Sequence, residues 1–227
     1  MKFIKEVGYW FTDEEVAMIK YMTRTVLRKK RHGRALYQSS KYDRALKYIK
    51  RHRVAMDIGA HVGTWSFPMS FHFDKIHSFE PSPTHAACYE KNLAGRKNVV
   101  LHQCALGNIT GPVRLKCPDP SNTGVTMINR AGPEGVVVAM HTLDSFKFHD
   151  LTVDFVKIDC EGYELPILQG AKRSLLAWKP TIVVEQRDDT DLTTQFGFPR
   201  NGAVAYLKSL GFVVREDLDQ DFVLTWK

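Results

Sequence analysis

From Arg53 onward the sequence keeps a rhythm that few folds satisfy: short apolar runs alternate with longer stretches of helical character. "RVAMDIG" breaks at Gly59, and "TWSFPMSF" follows as a helix that tolerates Pro68 in its first turn. "KIHSFEP" stops at Pro81, "PTHAACYEKNLA" is the next helix, and "NVVLHQCAL" is a third strand. Later come strand "VDFVKID", helix "YELPILQGAKRSLLAW" and strand "TIVVEQ", then a loop through Arg200. Helix "GAVAYLKSLG" and two strands, "FVVRED" and "DFVLTW", split by an Asp-rich turn, finish the chain. Alternation at this spacing implies βαβ units and a parallel sheet covered on both faces. The expected fold is α/β: a doubly wound, mostly parallel seven-stranded sheet ending in an antiparallel hairpin.

Two regions depart from the rhythm. Gly107 to His141 holds short β-like runs between Gly, Pro and Asn, which read as a mid-chain β insertion. Residues 1–52 read as a helical extension. Thr12 and Glu15 stand as N-cap and N3 of a capping box, and Val16, Ile19, Met22, Val26 and Leu27 recur at helical spacing until Gly33. A second helix is expected at about Tyr42 to Ile49. The division is therefore 1–52 as extension and 53–227 as the main domain.

Composition narrows the classes. A 227-residue chain that is 44% hydrophobic and 25% charged suits one ordinary globular domain. No apolar run approaches the roughly 20 residues that span a bilayer, and "MKFIKEVGYWFTDEE" lacks signal-peptide features, so a cytoplasmic location is expected. Cys88, Cys104, Cys117 and Cys160 form no C-x-x-C pair and no His stands at metal-ligand spacing, which argues against a disulfide framework or a zinc site. The net charge of +7 is concentrated in Lys20–Arg34 and Lys41–Arg53. Residues 20–53 are thus a candidate contact for nucleic acid or a phosphorylated substrate. The plainer reading is a solvated helix face.

"MDIGAHVG" follows a strand and opens a helix, the place where an open α/β sheet binds its ligand. Gly59 and Gly63 let backbone approach that ligand. Asp57 disfavours a pyrophosphate there, and the full G-x-G-x-x-G fingerprint is absent, which argues against a nicotinamide-dependent dehydrogenase. Glu80 ends the second strand about 20 residues later, where an acid bonds a ribose diol. A nucleoside carrying a cation, such as S-adenosylmethionine, suits this pair.

"DIGAHVGTWS", "FEPSPTHAACYEKNLAGRKNVVLHQCALGN" and "VDFVKIDCEGYELPILQGA" together resemble the FkbM family of class I S-adenosylmethionine-dependent methyltransferases, from about Val54 to Glu185. His61 stands where that family more often has Asn. The resemblance implies methyl transfer to a hydroxyl of a sugar or sugar-like acceptor. It places Asp57, Gly59, Ala60, His61, Gly63 and Thr64 around the methionine part of the cofactor, and Glu80, Pro81 and Ser82 at the ribose. Cys104 and Ala105 fall at the adenine.

The signature strand should lie beside the first, so Asp159 and Glu161 emerge next to the reactive methyl. Methyl transfer to a hydroxyl needs alignment and benefits from a proton acceptor. Asp159 and Glu161 are the candidates, with Lys157 on the same strand face as Asp159. Glu185 reaches the same edge as an acceptor-binding acid, and His141 is a minor proton-acceptor candidate. Asp159, Glu161 and Glu185 form an oxygen set, but no ligand-rich loop accompanies it and no metal is assigned. Glu164 reads as a helix-capping acid. Ser121, Asn122, Thr123 and Gly124 are expected to border the acceptor pocket. Two other readings share these residues: an RNA ribose 2′-O-methyltransferase using the basic region, and a non-catalytic module that binds the cofactor or a partner protein.

Overall fold

The alternating runs become five parallel strands of one sheet in a computed structural model that describes residues 2–13, 15, 19–20, 30–35, 37–119, 122–129, 132–148, 150–186, 197–199 and 201–227. In chain order they are β5 (Val54–Ile58), β6 (Lys75–Phe79), β7 (Val99–His102), β12 (Val153–Ile158) and β13 (Thr181–Glu185). β14 (Phe212–Asp217) and β15 (Asp221–Trp226) add an antiparallel hairpin, giving the order β14-β15-β13-β12-β5-β6-β7. β5 is buried along its whole length, as a strand covered on both faces must be. Val54, Met56 and Ile58 point into one core with Val156, Ile158 and Ile182; Ala55 and Phe155 point into the other with Trp65 and Met69.

The helices are shorter than the sequence suggests. α2 is Ser66–Met69 and α3 is Pro83–Leu93; Ser82 caps α3 by accepting the His85 N–H at 3.4 Å, with Pro83 at the first helical position. The run "YELPILQGAKRSLLAW" breaks into α4 (Glu164–Gln169) and α5 (Lys172–Trp178). A Cβ at Gly170 would stand 1.9 Å from the Gly107 carbonyl oxygen, so the break marks a close backbone crossing. α6 (Gly202–Leu210) precedes the hairpin.

"NVVLHQCAL" is not one strand. The Cys104 N–H turns back to the His102 carbonyl at 2.9 Å, and β8 (Ala105–Leu106) leaves for a second sheet. That four-stranded sheet, β10-β9-β11-β8, is the expected insertion, with β9 at Gly111–Lys116, β10 at Met127–Asn129 and β11 at Val136–His141.

The start of the chain corrects the helical reading in part: Ile19 and Lys20 are helical and the second expected helix is present, but strand pairs occupy residues 3–12 and 30–35. β1 (Phe3–Glu6) and β2 (Tyr9–Thr12) form an antiparallel hairpin, β3 (Lys30–Arg31) pairs with β4 (Arg34–Ala35), and α1 is Ser39–Leu46. Thr12 ends a strand and the Glu15 side chain lies among histidines, so no capping box forms. Most of the expected helix after Glu15 falls outside the described residues. Tyr9 and Phe11 are fully buried with Phe67, Cys88 and Tyr89, which stabilises the hairpin by roughly 1.5–3 kcal/mol for each ring. Tyr42, Ala45 and Ile49 join the core under the sheet. Among the described residues no helix is long and apolar enough to cross a membrane.

Candidate active site

The winding of the sheet reverses between β5 and β12, and such a switch point is where open α/β sheets bind ligands. A cleft of about 200 Å³ opens there. The loop after β5 gives its wall Gly59, Ala60, His61 and Thr64, and the end of β6 gives Glu80 and Pro81. Cys104 and Ala105 come from the turn after β7, and Lys157, Asp159 and Glu161 from β12 and its turn. These eleven expected residues meet in one place.

Gly59 is fixed by space and by backbone. Its φ is +78°, and a Cβ there would lie 1.9 Å from the Asp159 carbonyl oxygen. The two loops therefore touch backbone to backbone. Beside them the Glu80 carboxylate is immobilised: Oε2 accepts the His61 N–H and Oε1 the Ser82 N–H, both at 2.8 Å. Burial opposes its ionisation, but His85 outweighs that and holds it below the usual carboxylate range.

Lys157 is the electrostatic centre of the signature strand. Its Nζ donates to the Gly59 carbonyl at 3.1 Å and lies 3.4 Å from Asp159 and 3.7 Å from Asp57. Burial works against its charge, yet the two aspartates raise its pKa above the ordinary value. It remains an ammonium and serves as counter-ion. Glu164 faces the opposite situation. It is buried and pushed up to about 7, while its Oε1 accepts from the Cys160 and Gly162 N–H groups at 2.8 and 3.2 Å. It thus pins the turn that carries Asp159 and Glu161.

Five expected site residues lie off the cleft wall. The cation that Asp57 faces is the protein's own: it is fully buried, bonded to Ser66 Oγ at 2.5 Å and set against Lys157. Gly63 packs against Leu93 and Tyr89, and Ser82 is spent on the helix cap. His141 lies at the end of β11 with its ring against Phe146. Glu185 reaches the acids from behind, with carboxylate oxygens of Asp159, Glu161 and Glu185 all within 4.8 Å of one another. Asn122 and Gly124 do border the cleft; Ser121 lies outside the described residues.

A family model of the methyltransferase FkbM domain matches residues 57–214. The chain belongs to the FkbM methyltransferase family. Its cofactor is S-adenosylmethionine. The fold is also that of an FkbM methyltransferase from Methylobacillus flagellatus KT, with TM-score 0.50, 18% identity, and coverage of 78% of this chain and 44% of that one. The chain thus spans less than half the length of that relative. A putative rRNA methylase from Clostridium thermocellum shares the fold at TM-score 0.50 and 11% identity, over 82% of this chain and 94% of the other. No curated protein matches the sequence. The FkbM cofactor fits what is present: a backbone-lined loop at Gly59, a fixed carboxylate at Glu80 and the negative Asp159 for a sulfonium.

Four residues of this FkbM site were not foreseen. Trp65 and Tyr37 line the cleft, the latter from the N-terminal region. Glu15 and His85 form a buried cluster with His61, Nε2 of each imidazole lying 3.0 Å (His61) and 3.1 Å (His85) from Glu15 Oε1. Burial lowers the pKa of His85, but Glu15 and Glu80 together raise it to about 9. His85 stands three residues after the Ser82 cap, on the helix face turned to the cleft; that spacing was the one available signal.

Proposed function

We propose that this FkbM methyltransferase transfers a methyl group to a hydroxyl of a sugar or sugar-like acceptor. The observation that carries the reading is Asp159, a carboxylate lining the cofactor cleft with the Lys157 ammonium 3.4 Å away. The cofactor, when bound, supplies an electrophilic methyl on a sulfonium. Gly59 and Glu80 would hold it by backbone and by carboxylate. The acceptor hydroxyl approaches from the side of Asn122 and Gly124, its oxygen takes the methyl, and its proton passes to Asp159. Lys157 keeps Asp159 aimed, and Glu161, on the same wall, would accept a bond from a neighbouring hydroxyl of a diol.

RNA as acceptor is the second reading, drawn from the basic residues between 20 and 53. Several of those charges are already engaged: Lys41 pairs with Asp221, Arg44 with Glu216 and Arg53 with Asp154, while Arg34 stacks on Phe67 at 3.8 Å. That leaves less free charge for phosphates and favours the smaller acceptor.

The test is methyl transfer from isotopically labelled S-adenosylmethionine to a panel of glycosides and to RNA. Methylated glycoside, abolished in Asp159→Asn with S-adenosylhomocysteine binding retained, supports the reading. Labelled RNA and unlabelled sugars would replace it with the second. A positioned proton acceptor is worth about 10²–10⁴ in rate, so a loss below tenfold in Asp159→Asn would remove Asp159 from the chemistry.

A further inference from the structure

The buried cluster of Glu15, His61 and His85 has the donor set and spacing of a transition-metal site. Three separate segments supply it: the stretch after β2, the loop after β5 and the first turn of α3. One donor atom from each lies within 4.8 Å of the other two. Zinc bound tetrahedrally at about 2.0–2.2 Å sets its ligands roughly 3.4 Å apart. Here the Glu15 oxygen stands 3.0 Å from His61 Nε2 and 3.1 Å from His85 Nε2.

The bonding within the cluster is lopsided. Glu15 Oε1 receives His61, His85 and the Thr123 hydroxyl, while Oε2, equally buried, has no hydrogen-bond partner among the described residues. His85 turns both nitrogens toward carboxylates, Nε2 to Glu15 and Nδ1 to Glu80 at 3.5 Å. An imidazolium donates to both, and a divalent ion between the three side chains would take the place of its Nε2 proton. Nδ1–H then bonds Glu80, Nε2 offers its lone pair to the metal, and a carboxylate–histidine–metal relay results.

We infer that Glu15, His61 and His85 bind a first-row divalent transition ion of the zinc class. Two imidazoles are borderline donors and, with one hard carboxylate, favour zinc, cobalt and nickel over magnesium or calcium. The fourth position is left to water, held by the Thr123 hydroxyl 3.0 Å from His85 Nε2. The ion staples the N-terminal segment and the β insertion to the cofactor loop. This inference stands apart from the choice of acceptor.

Cobalt titration of the chelator-treated full-length protein tests it. One equivalent should give the intense visible spectrum of four-coordinate Co²⁺, displaced by Zn²⁺. Glu15→Gln, which keeps its shape, and His85→Asn should each weaken uptake at least a hundredfold, and Glu185→Gln should leave the spectrum unchanged. No spectrum in the wild type, or one that persists in Glu15→Gln, overturns the site. S-adenosylhomocysteine titrated into the metal-free protein reports the cofactor reading separately.

Discussion

Lys157 and Asp57 are register partners on adjacent parallel strands, their charged groups 3.7 Å apart inside the sheet's own layer. Asp159, one pleat further along, completes the triad at 3.4 Å. Removing the ammonium takes the cation away from the buried Asp57, and breaking such a pair costs roughly 3–5 kcal/mol. Lys157→Met should therefore unfold at markedly lower urea concentration than wild type. Urea unfolding followed by tryptophan fluorescence checks it; a midpoint within error of wild type would mean that the triad contributes nothing to stability.

Gly59→Ala should fail for two independent reasons. The left-handed backbone costs an L-residue roughly 1–2 kcal/mol, and the new methyl meets the Asp159 carbonyl oxygen. Loss of calorimetric S-adenosylhomocysteine binding, together with a lower unfolding midpoint, is the expected result. Binding of wild-type strength would show that the loop has room to move away.

Glu164 gives the stability profile a defined slope. Its pKa rises from 4.5 to about 7 on folding because burial disfavours the carboxylate. The folded state therefore retains a proton that the unfolded state releases. The contribution is fully present below about pH 4.5 and is lost as pH rises through 7, on the order of 3 kcal/mol at most. Glu164→Gln keeps the acceptor for the Cys160 and Gly162 N–H groups but cannot ionise. Unfolding free energies at pH 5 and pH 8 should differ less in this variant than in wild type. An identical difference in both proteins would assign the slope to other groups.

Asn92 ties the first hairpin to α3. Its side chain accepts the Trp10 N–H at 2.6 Å and donates to the Trp10 and Val62 carbonyls at 2.9 and 2.8 Å. Asn92→Ala leaves those backbone groups without partners in a buried setting, at about 1–3 kcal/mol for each group that water does not reach. Hydrogen exchange should then speed up selectively at residues 3–12. Exchange that accelerates equally across β5 and β12 would contradict a local tether.

The core of this arrangement was legible because parallel strands buried on both faces write near-continuous apolar runs, and the residue that ends each run marks the ligand edge. Asp159 and Glu80 were readable for that reason. Asp57 was not. A strand-end acid looks alike whether it faces a ligand or an in-register lysine, and only pairing across β5 and β12 decides. The Thr12 and Glu15 pattern satisfied a helix-capping template, yet tertiary contacts claimed it: Glu15 is drawn to two histidines 46 and 70 positions away. The split of "YELPILQGAKRSLLAW" depended on the Gly107 carbonyl crossing at Gly170, which no local pattern encodes.

Tyr37 on the cleft wall lies upstream of the segment, 57–214, that the FkbM family model matches. The chamber is thus closed by chain from outside the matched segment, and that chain is packed into the same cores, Tyr9 and Phe11 with Phe67 and Tyr89, and Tyr42 with Trp65. A smaller side chain at Tyr37 would widen the vestibule and leave the Lys157–Asp159 pair in place.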